Sequence, residues 1–281
     1  MKLLRVGPEG EELPAILDKA GRYRDLSAVV SDIAGDVLLP EHLQAISELD
    51  IVTLPVLDAS LRIGSCVGSI GKFVCIGLNY ADHAKESNMP IPVEPVVFNK
   101  WTSAVCGPND DVVKPRGSTK LDWEIELGIV IGKPGVYIEE QDAQQHIAGY
   151  CVINDVSERH FQLEREGQWD KGKGCDTFGP TGPWLVTPDE ISNVLELDMH
   201  LEVNGKPFQN GSTRTMIFSP AVIVSYLSQF MSLQSGDVIS TGTPPGVGLG
   251  QKPPLYLEVG DIMTLGIEGL GEQRQCVVSA G

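Results

Sequence analysis

The sequence predicts a β-rich α+β protein, and two patterns in it support that prediction. After about residue 70 the chain consists largely of short segments rich in Val, Ile and Leu and bounded by Gly, Asp and Asn, such as FVCIGL, IELGIVIG and IAGYCVIND. Helix signals are fewer: PEHLQAISELD opens at Pro40, and AVIVSYLSQFM follows a Ser219 cap and Pro220. We therefore expect strands to form the body of the fold, with few helices.

Residues 1–66 are expected to form a small N-terminal α/β domain. KLLRVG and PAILD predict short strands, KAGR predicts a turn, and the segment that begins at Pro40 supplies a helix. The stretch RIGSCVGSIGK (62–72) is rich in Gly and Ser and predicts a linker. The second and larger domain is therefore placed at 67–281.

The last third of the chain supplies further strands. LDMHLEVNGKPFQNG, GDVISTG and GDIMTLGIEGLGEQRQCVVS all have strand composition. In the first of them Asn204 and Gly205 are flanked by alternating residues, which predicts a tight hairpin.

Charge and composition exclude several classes of function. The formal net charge is −17 and no basic stripe is present, so a phosphate backbone would find no clustered Lys and Arg, and we expect no nucleic-acid partner. No apolar run approaches the roughly 18 residues of a membrane span, and the start MKLLRVGPEG is too short and polar for a signal peptide. The six cysteines form no C-x-x-C pair, which indicates buried thiols. We expect a cytoplasmic protein that does not enter the membrane.

Three acids alternate in KLDWEIELGIVIGK (120–133). If this segment is a strand, Asp122, Glu124 and Glu126 project from one face. Carboxylates two residues apart lie roughly 7 Å from each other, and each ionised pair repels by roughly 2 kcal/mol at an effective dielectric of about 20, so a positive group is expected among them. A second apolar strand, GYCVIND, ends in another acid, Asp155. A site made of oxygen ligands alone suits Mg²⁺, Mn²⁺ or Ca²⁺ better than zinc. The alternative interpretation is that the acids form the solvated face of an amphipathic strand.

Two further pairs are spaced to share a helical face. His83 and Glu86 are three residues apart, so the carboxylate could orient the imidazole as a general base. Arg159 and Gln162 have the same spacing in SERHFQLEREGQW, on a helix that Ser157 is expected to open, where they could hold a substrate carboxylate. Ordinary surface side chains are the alternative for both pairs.

Two glycine-rich stretches resemble nucleotide-binding loops, but neither meets the requirements of a phosphate-binding loop. GQWDKGKG (167–174) has Gly174 where a phosphate loop needs Ser or Thr, follows a charged segment instead of a strand, and carries Asp170 where phosphates would lie. In STGTPPGVGLG (240–250) two prolines remove backbone donors, so it indicates a rigid rim or a turn.

Taken together, several segments resemble the fumarylacetoacetate hydrolase family in order and spacing. They are IGLNYADHAKES, EPVVFNK, DWEIELGIVIG, CVINDVSERHFQ, GKGCDTFGPTGPWLV and STGTPPGVG, and the resemblance runs from about residue 70 to the end. The N-terminal unit resembles that of the bacterial branch of 2,4-diketo-3-deoxy-L-rhamnonate or L-fuconate hydrolases, many relatives of which carry the label ureidoglycolate lyase.

The resemblance implies a mixed β-roll or β-sandwich catalytic domain, a homodimer, and Mg²⁺ or Mn²⁺ bound by Glu124, Glu126 and Asp155. It further implies a water-activating pair, His83 and Glu86, with Lys173 as a substrate or oxyanion contact. It also implies the pocket residues Arg159, Gln162 and Thr243. One departure is Gly172-Lys173-Gly174, where the family usually has Gly-Lys-Ser; because the lysine is kept, the departure affects a secondary contact only.

The expected function is metal-dependent hydrolysis of a C–C bond in a 2,4-dioxo acid, either an acylpyruvate or a 3-deoxy sugar acid, with release of pyruvate. Chelation of a metal by a small anionic 2-oxo acid would bring that anion into a negative protein. Two alternatives remain open: the same site could cleave ureidoglycolate or decarboxylate oxaloacetate, or the chain could be a non-catalytic metal- or ligand-binding β protein.

Overall fold

The computed structural model describes residues 1–86 and 90–281, apart from the side chains at positions 83–85. The described residues form a β-rich α+β fold of mixed sheets with few helices, so the predicted fold class is confirmed.

The strands are β1 (Lys2–Val6), β2 (Leu13–Leu17), β3 (Tyr23–Asp25), β4 (Phe73–Gly77), β5 (Val96–Lys100), β6 (Val105–Cys106), β7 (Val112–Lys114), β8 (Leu121–Asp122), β9 (Ile125–Ile131), β10 (Ile147–Asn154), β11 (Ser157–Glu158), β12 (Gly179–Val186), β13 (Asp198–Val203), β14 (Lys206–Ser212), β15 (Val238–Ser240), β16 (Ile262–Ile267) and β17 (Gly271–Ser279). The α-helices are α1 (Pro40–Ser47), α2 (Ala81–Glu86), α3 (Arg159–Leu163), α4 (Asp170–Lys173) and α5 (Pro220–Leu227). Short 3₁₀ turns occur at Gly35–Leu38, Ile51–Thr53, Thr102–Ala104, Glu140–His146, Pro188–Glu190, Val194–Glu196, Thr213–Thr215 and Gly248–Gly250.

Two sheets account for most of these strands. The larger has the order β3-β2-β1-β12-β10-β9-β15-β4-β5, with β6 beside β12, and the smaller has the order β14-β13-β16-β17-β7. Strand β15 is parallel to β4 and antiparallel to β9, so the larger sheet is mixed. The main hydrophobic core includes buried residues from both sheets, which places β9 and β10 in the interior.

The N-terminal strands continue the larger sheet. Strand β1 pairs with β12 through Lys2 opposite Val186 and Leu3 opposite Leu185. The sheet therefore runs without a break from residues 1–66 into the remainder of the chain. The division at residue 66 remains a prediction about folding units.

Several local predictions match the structure. Asn204 and Gly205 join β13 to β14, both with positive φ (53° and 74°), which the two-residue hairpin requires. The Ser219 side chain accepts a hydrogen bond from the backbone N–H of Val222 and begins α5. The prediction of buried thiols is correct for Cys66, Cys75 and Cys151 but wrong for the other three cysteines, which are partly exposed.

The segment 120–133 is not one continuous strand, contrary to the expectation. It breaks between β8 and β9, because the backbone N–H of Glu124 donates to the Asn154 side chain (3.2 Å) and that of Ile125 donates to Gln209 (3.0 Å). Side chains thus replace the neighbouring strand as hydrogen-bond partners there. The second part, β9, is buried on both faces as predicted.

The predicted limits of two helices were also wrong. Ser157 lies in β11, and α3 is capped by the Glu158 carboxylate, which accepts from the backbone N–H of His160 (3.0 Å). Helix α5 ends at Leu227, before the predicted Met231, because the backbone N–H groups of Gln229 and Phe230 bond three residues back and tighten the turn.

Candidate metal centre

Strands β9 and β10 bring three acids together at one end of their shared ladder. Glu126 lies in β9 and Glu124 directly precedes it, while Asp155 directly follows β10. The backbone N–H of Asp155 donates to the Glu124 carbonyl (2.8 Å), which closes the end of the pairing. One carboxylate oxygen from each acid lies within 4.8 Å of the others, and all three residues are buried. The structure therefore brings the three predicted ligands into one cluster.

Two buried lysines supply positive charge to this cluster. Lys173 Nζ, at the end of α4, donates to Glu124 Oε2 (2.5 Å) and to Asp155 Oδ2 (2.7 Å). Lys100 Nζ, at the end of β5, donates to Asp155 Oδ1 and to the Val156 carbonyl (3.0 Å). The structure places Lys173 beside the cluster, and its role as a substrate or oxyanion contact remains a prediction. Lys100 was not predicted, although the quoted segment EPVVFNK contains it, because its partner lies 55 residues away in the sequence.

Arg159 is the third buried cation, and each of its guanidinium nitrogens has a protein acceptor. Nε donates to Asp122 Oδ2 (2.8 Å), Nη2 to Glu124 Oε1 (2.6 Å) and Nη1 to Gln162 Oε1 (3.0 Å). Asp122 in turn accepts from the backbone N–H groups of Gly248 (2.6 Å) and Leu249 (3.0 Å). The first acid of the alternating series therefore anchors Arg159 and a loop, and it lies outside the three-carboxylate cluster.

Glu126 is held from the other side by the segment after β15. Its Oε2 atom accepts from Ser240 Oγ (2.5 Å) and from the backbone N–H of Gly242 (2.8 Å). Gly242 has φ of 97°, and a Cβ atom there would lie 2.7 Å from the Asn79 Cβ. Glycine is therefore required for this backbone N–H to reach the carboxylate.

The buried charges in the cluster and directly around it do not balance. Four carboxyl groups (Asp122, Glu124, Glu126 and Asp155) face three cationic groups (Lys100, Arg159 and Lys173).

Burial raises the pKa of Glu126 well above its usual value, and the neighbouring carboxylates of Asp155 and Glu124 raise it further. Burial alone would lower the pKa of Lys173, but the same two carboxylates offset that effect and its pKa lies above the usual value. A hard divalent cation fits such a site, because carboxylate oxygens are its preferred ligands and its charge offsets the excess of acid.

Glu124, Glu126, Arg159 and Lys173 form the charged part of the lining of a cavity of about 140 Å³. The cavity is also lined by Gln162 and Thr243, two of the predicted substrate contacts. Thr243 Oγ1 donates to the Ile125 carbonyl (2.8 Å) and accepts from Gln209 Nε2 (2.8 Å). These two hydrogen bonds fix the Thr243 side chain in the cavity wall.

Gln209 is a supporting residue that sequence analysis missed. Its side chain accepts from the backbone N–H of Ile125 and donates to Thr243 and to the Pro244 carbonyl (2.8 Å), and it is buried. The available signal was its place in the alternation of β14, opposite Leu201 of β13, since a polar residue at an inward position needs buried partners.

The predicted dyad is only partly described. The Glu86 carboxylate accepts from the backbone N–H of Gly246 at 3.1 Å to each oxygen, which ties α2 to the loop that follows the two prolines. A Cβ atom at Gly246, where φ is 110°, would lie 2.0 Å from the Phe208 carbonyl oxygen. Position 83 belongs to α2, but the His83 side chain lies outside the described residues, so its pairing with Glu86 remains a prediction.

No helix among residues 1–86 and 90–281 combines the length and apolar character that crossing a bilayer requires.

Known proteins that are similar to this chain identify its family. A protein of Burkholderia multivorans named "Putative hydrolase" is 61% identical over 281 residues, all of both chains. The structure of a fumarylacetoacetate hydrolase from Exiguobacterium antarcticum is similar over all of both chains, with 34% identity and a TM-score of 0.87. The structure of maleylpyruvate hydrolase from Sphingobium sp. SYK-6, in complex with manganese(II) and pyruvate, is also similar over all of both chains, with 26% identity and a TM-score of 0.83. The model for the family described as "Fumarylacetoacetate (FAA) hydrolase C-terminal" matches residues 72–278, and the chain therefore belongs to the fumarylacetoacetate hydrolase family.

Proposed function

We propose that the protein is a divalent-metal-dependent hydrolase that cleaves a C–C bond in a 2,4-dioxo acid and releases pyruvate. The observation that carries this proposal is the buried cluster of Glu124, Glu126 and Asp155 beside Lys173, next to a cavity that Glu124, Glu126 and Lys173 line. In this account it is a cytoplasmic enzyme that acts on a small anionic 2-oxo acid.

Glu124, Glu126 and Asp155 would hold Mg²⁺ or Mn²⁺, which when bound supplies Lewis-acid stabilisation to the oxygen atoms of a 2-oxo acid. Support comes from the hard-oxygen donor set and from the excess of buried acid. The related maleylpyruvate hydrolase structure, which contains manganese(II) and pyruvate, is consistent with this assignment.

The protein's own groups have separate tasks in the proposed reaction. Lys173 Nζ lies beside the cluster and would stabilise negative charge on the carbonyl oxygen that water attacks. Gln162 lines the cavity and would orient the substrate, while Arg159 fixes both Gln162 and Glu124. We assign removal of the water proton to His83, with Glu86 as its partner.

The reaction balances without a further reactant. The water hydroxyl group joins the acyl carbonyl carbon, the bond from that carbon to the CH₂ group breaks, and the CH₂ group gains the proton to become the methyl group of pyruvate. The products are one carboxylic acid and pyruvate.

A substrate panel tests the proposal. Acylpyruvates, 2,4-diketo-3-deoxy sugar acids, oxaloacetate and ureidoglycolate are incubated with the protein and Mg²⁺ or Mn²⁺, and the products are quantified. We expect pyruvate and one acid in equal amounts from an acylpyruvate or a diketo sugar acid. Turnover of oxaloacetate or ureidoglycolate alone would identify the alternative enzymes, and no turnover would favour a binding protein.

Two lysines of helix α4 provide a matched control for that panel. Lys173 is buried against the carboxylates, whereas Lys171 is exposed. Lys173→Ala should lower kcat/KM by roughly a hundredfold or more, the usual scale for loss of a group that stabilises an oxyanion. Lys171→Ala should retain the parent rate, and equal rates in the two variants would contradict the assignment.

A further inference from the structure

The cavity has two chemically different sides. One side carries the charged cluster described above. The other side, which we call the apolar wall, adjoins it and consists of side chains from β4, β5, α3 and neighbouring loops: Ile76, Leu78, Phe98, Leu163, Trp169 and Leu249. A substrate whose 2-oxo acid end lies on the charged side must therefore place its acyl arm against hydrocarbon.

The apolar wall is fixed in place by its own packing. The Trp169 ring packs edge-on against Phe98, with ring centroids 5.4 Å apart. Gly77 lies beneath Trp169, and a Cβ atom there would lie 2.8 Å from the indole ring. Phe98 also lies under Lys173, whose Nζ is 5.0 Å from the ring centroid. The wall is thus held in position by contacts between its own residues and the charged side.

Lys173 and Arg159, the cations that line the cavity, both lie at its charged side. Lys173 Nζ contacts two carboxylates, and the three guanidinium nitrogens of Arg159 have Asp122, Glu124 and Gln162 as partners. Among the described residues that line the cavity, no other Lys or Arg is present. A second carboxylate on the acyl arm would lose water and gain no partner on this wall, which is unfavourable.

We propose that the acyl arm of the substrate is uncharged and ends in an apolar group. This inference rests on the proposed C–C hydrolysis and narrows its substrate class to monocarboxylic 2,4-dioxo acids with an alkyl or deoxy terminus. The dicarboxylic members of the class are poor substrates, because their second carboxylate would face Leu163, Trp169 and Leu249.

Two substrates of equal chain length give the most direct comparison. 2,4-Dioxoheptanoate ends in a methyl group, and 2,4-dioxoheptanedioate ends in a carboxylate at the same position. With Mn²⁺, kcat/KM for the monoacid should exceed that for the diacid by about a hundredfold, the scale expected for a charge desolvated without a partner. It should also exceed that for acetylpyruvate by about tenfold, because the longer arm covers more of the wall.

A charge placed on the wall tests its location. Leu163 is 44% exposed, so Leu163→Lys can be accommodated without disturbing the core, and it puts a cation next to the acyl arm. The monoacid-to-diacid ratio should fall by at least about tenfold in this variant. Leu195, which is 39% exposed and does not line the cavity, gives the control Leu195→Lys, which should keep the parent ratio.

The outcomes separate this inference from the function on which it rests. Equal or faster cleavage of the diacid by the parent protein would overturn the inference and leave C–C hydrolysis standing. An unchanged ratio in Leu163→Lys would overturn the assignment of the wall. Failure to cleave any of these acids would instead overturn the proposed function.

Discussion

Sequence analysis predicts that Arg159 contacts the substrate, whereas in the structure its guanidinium group contacts protein side chains. Its guanidinium group joins Asp122, Glu124 and Gln162, so it links one carboxylate of the cluster to the backbone at Gly248 and Leu249. Its contribution to substrate binding would then pass through the groups that it positions.

The substitution Arg159→Lys tests this positioning. A lysine keeps the positive charge, but one ammonium group cannot reproduce the planar fork that reaches three separate acceptors. We expect kcat/KM to fall by about ten- to a hundredfold, as is usual when charge-assisted bonds at a reaction site are lost. Arg165→Lys, an exposed position just beyond α3, is the control. A parent-like rate in Arg159→Lys would argue against the positioning assignment.

Individual site residues could be predicted where they belong to a short sequence pattern. Glu124 and Glu126 alternate within one segment, and Asp155 ends the next apolar strand, so their convergence could be expected. Lys100 and Gln209 could not be found in this way. Their partners, Asp155 and Ile125, lie 55 and 84 residues away, and only the assembled sheets bring them together.

For helices and strands, the sequence signals for turns and helix caps gave correct predictions. The Asn204-Gly205 hairpin and the Ser219 cap both lie where predicted, because positive φ and an N-terminal side-chain acceptor are local requirements. The break between β8 and β9 was not predictable, since it depends on bonds from Asn154 and Gln209. Strand Gly179–Val186 was also missed, because its glycines and prolines are typical of turns.

The turn between β2 and β3 makes stability depend on pH through Asp18. The backbone N–H of Arg22 donates to the Asp18 carboxylate and lowers its pKa, whereas burial raises that pKa. Side-chain hydrogen bonds from Arg24 and Arg22 lower it further. The net effect lowers the pKa of Asp18 below its usual 3.8. A lowered folded-state pKa stabilises the protein fully above that usual value, and the stabilisation is lost as pH falls below it.

Asp18→Asn should therefore reduce the free energy of unfolding most near neutral pH. The difference from the parent protein should shrink as the pH is lowered from about 5 towards 2, because Asp18 takes up a proton there in the unfolded parent chain while it stays ionised in the folded protein, which favours unfolding. Denaturant unfolding at several pH values measures this difference, with the exposed Asp111→Asn as control. A difference that is constant with pH would mean that the turn is stabilised by something other than the charge on Asp18.

For the molecule as a whole, the class of fold was predictable and the order of strands was not. Short apolar segments and turn residues indicate a β-rich body, whereas the position of β1 beside β12 depends on contacts between residues more than 180 positions apart. Strand β5 lies at the edge of the larger sheet within the described chain, where Asp170 Oδ1 accepts from the backbone N–H of Asn99 (3.1 Å). Val97 and the adjacent Trp101 are 37% and 53% exposed there.

A sheet edge with exposed apolar side chains favours association, and we expect a homodimer. Light scattering at low micromolar concentration should give about twice the chain mass of 30.3 kDa. A single species at the chain mass, unchanged by a tenfold increase in concentration, would contradict this expectation.

Calorimetric titration with Mn²⁺ measures whether Glu124, Glu126 and Asp155 form a divalent-metal site. The parent protein and Glu272→Ala, which removes an exposed carboxylate elsewhere, should bind one Mn²⁺ per chain with equal affinity. Glu124→Ala should lose tight Mn²⁺ binding and pyruvate release together, because two carboxylates hold a hard cation far more weakly than three. Parent-like Mn²⁺ affinity in Glu124→Ala would contradict the account.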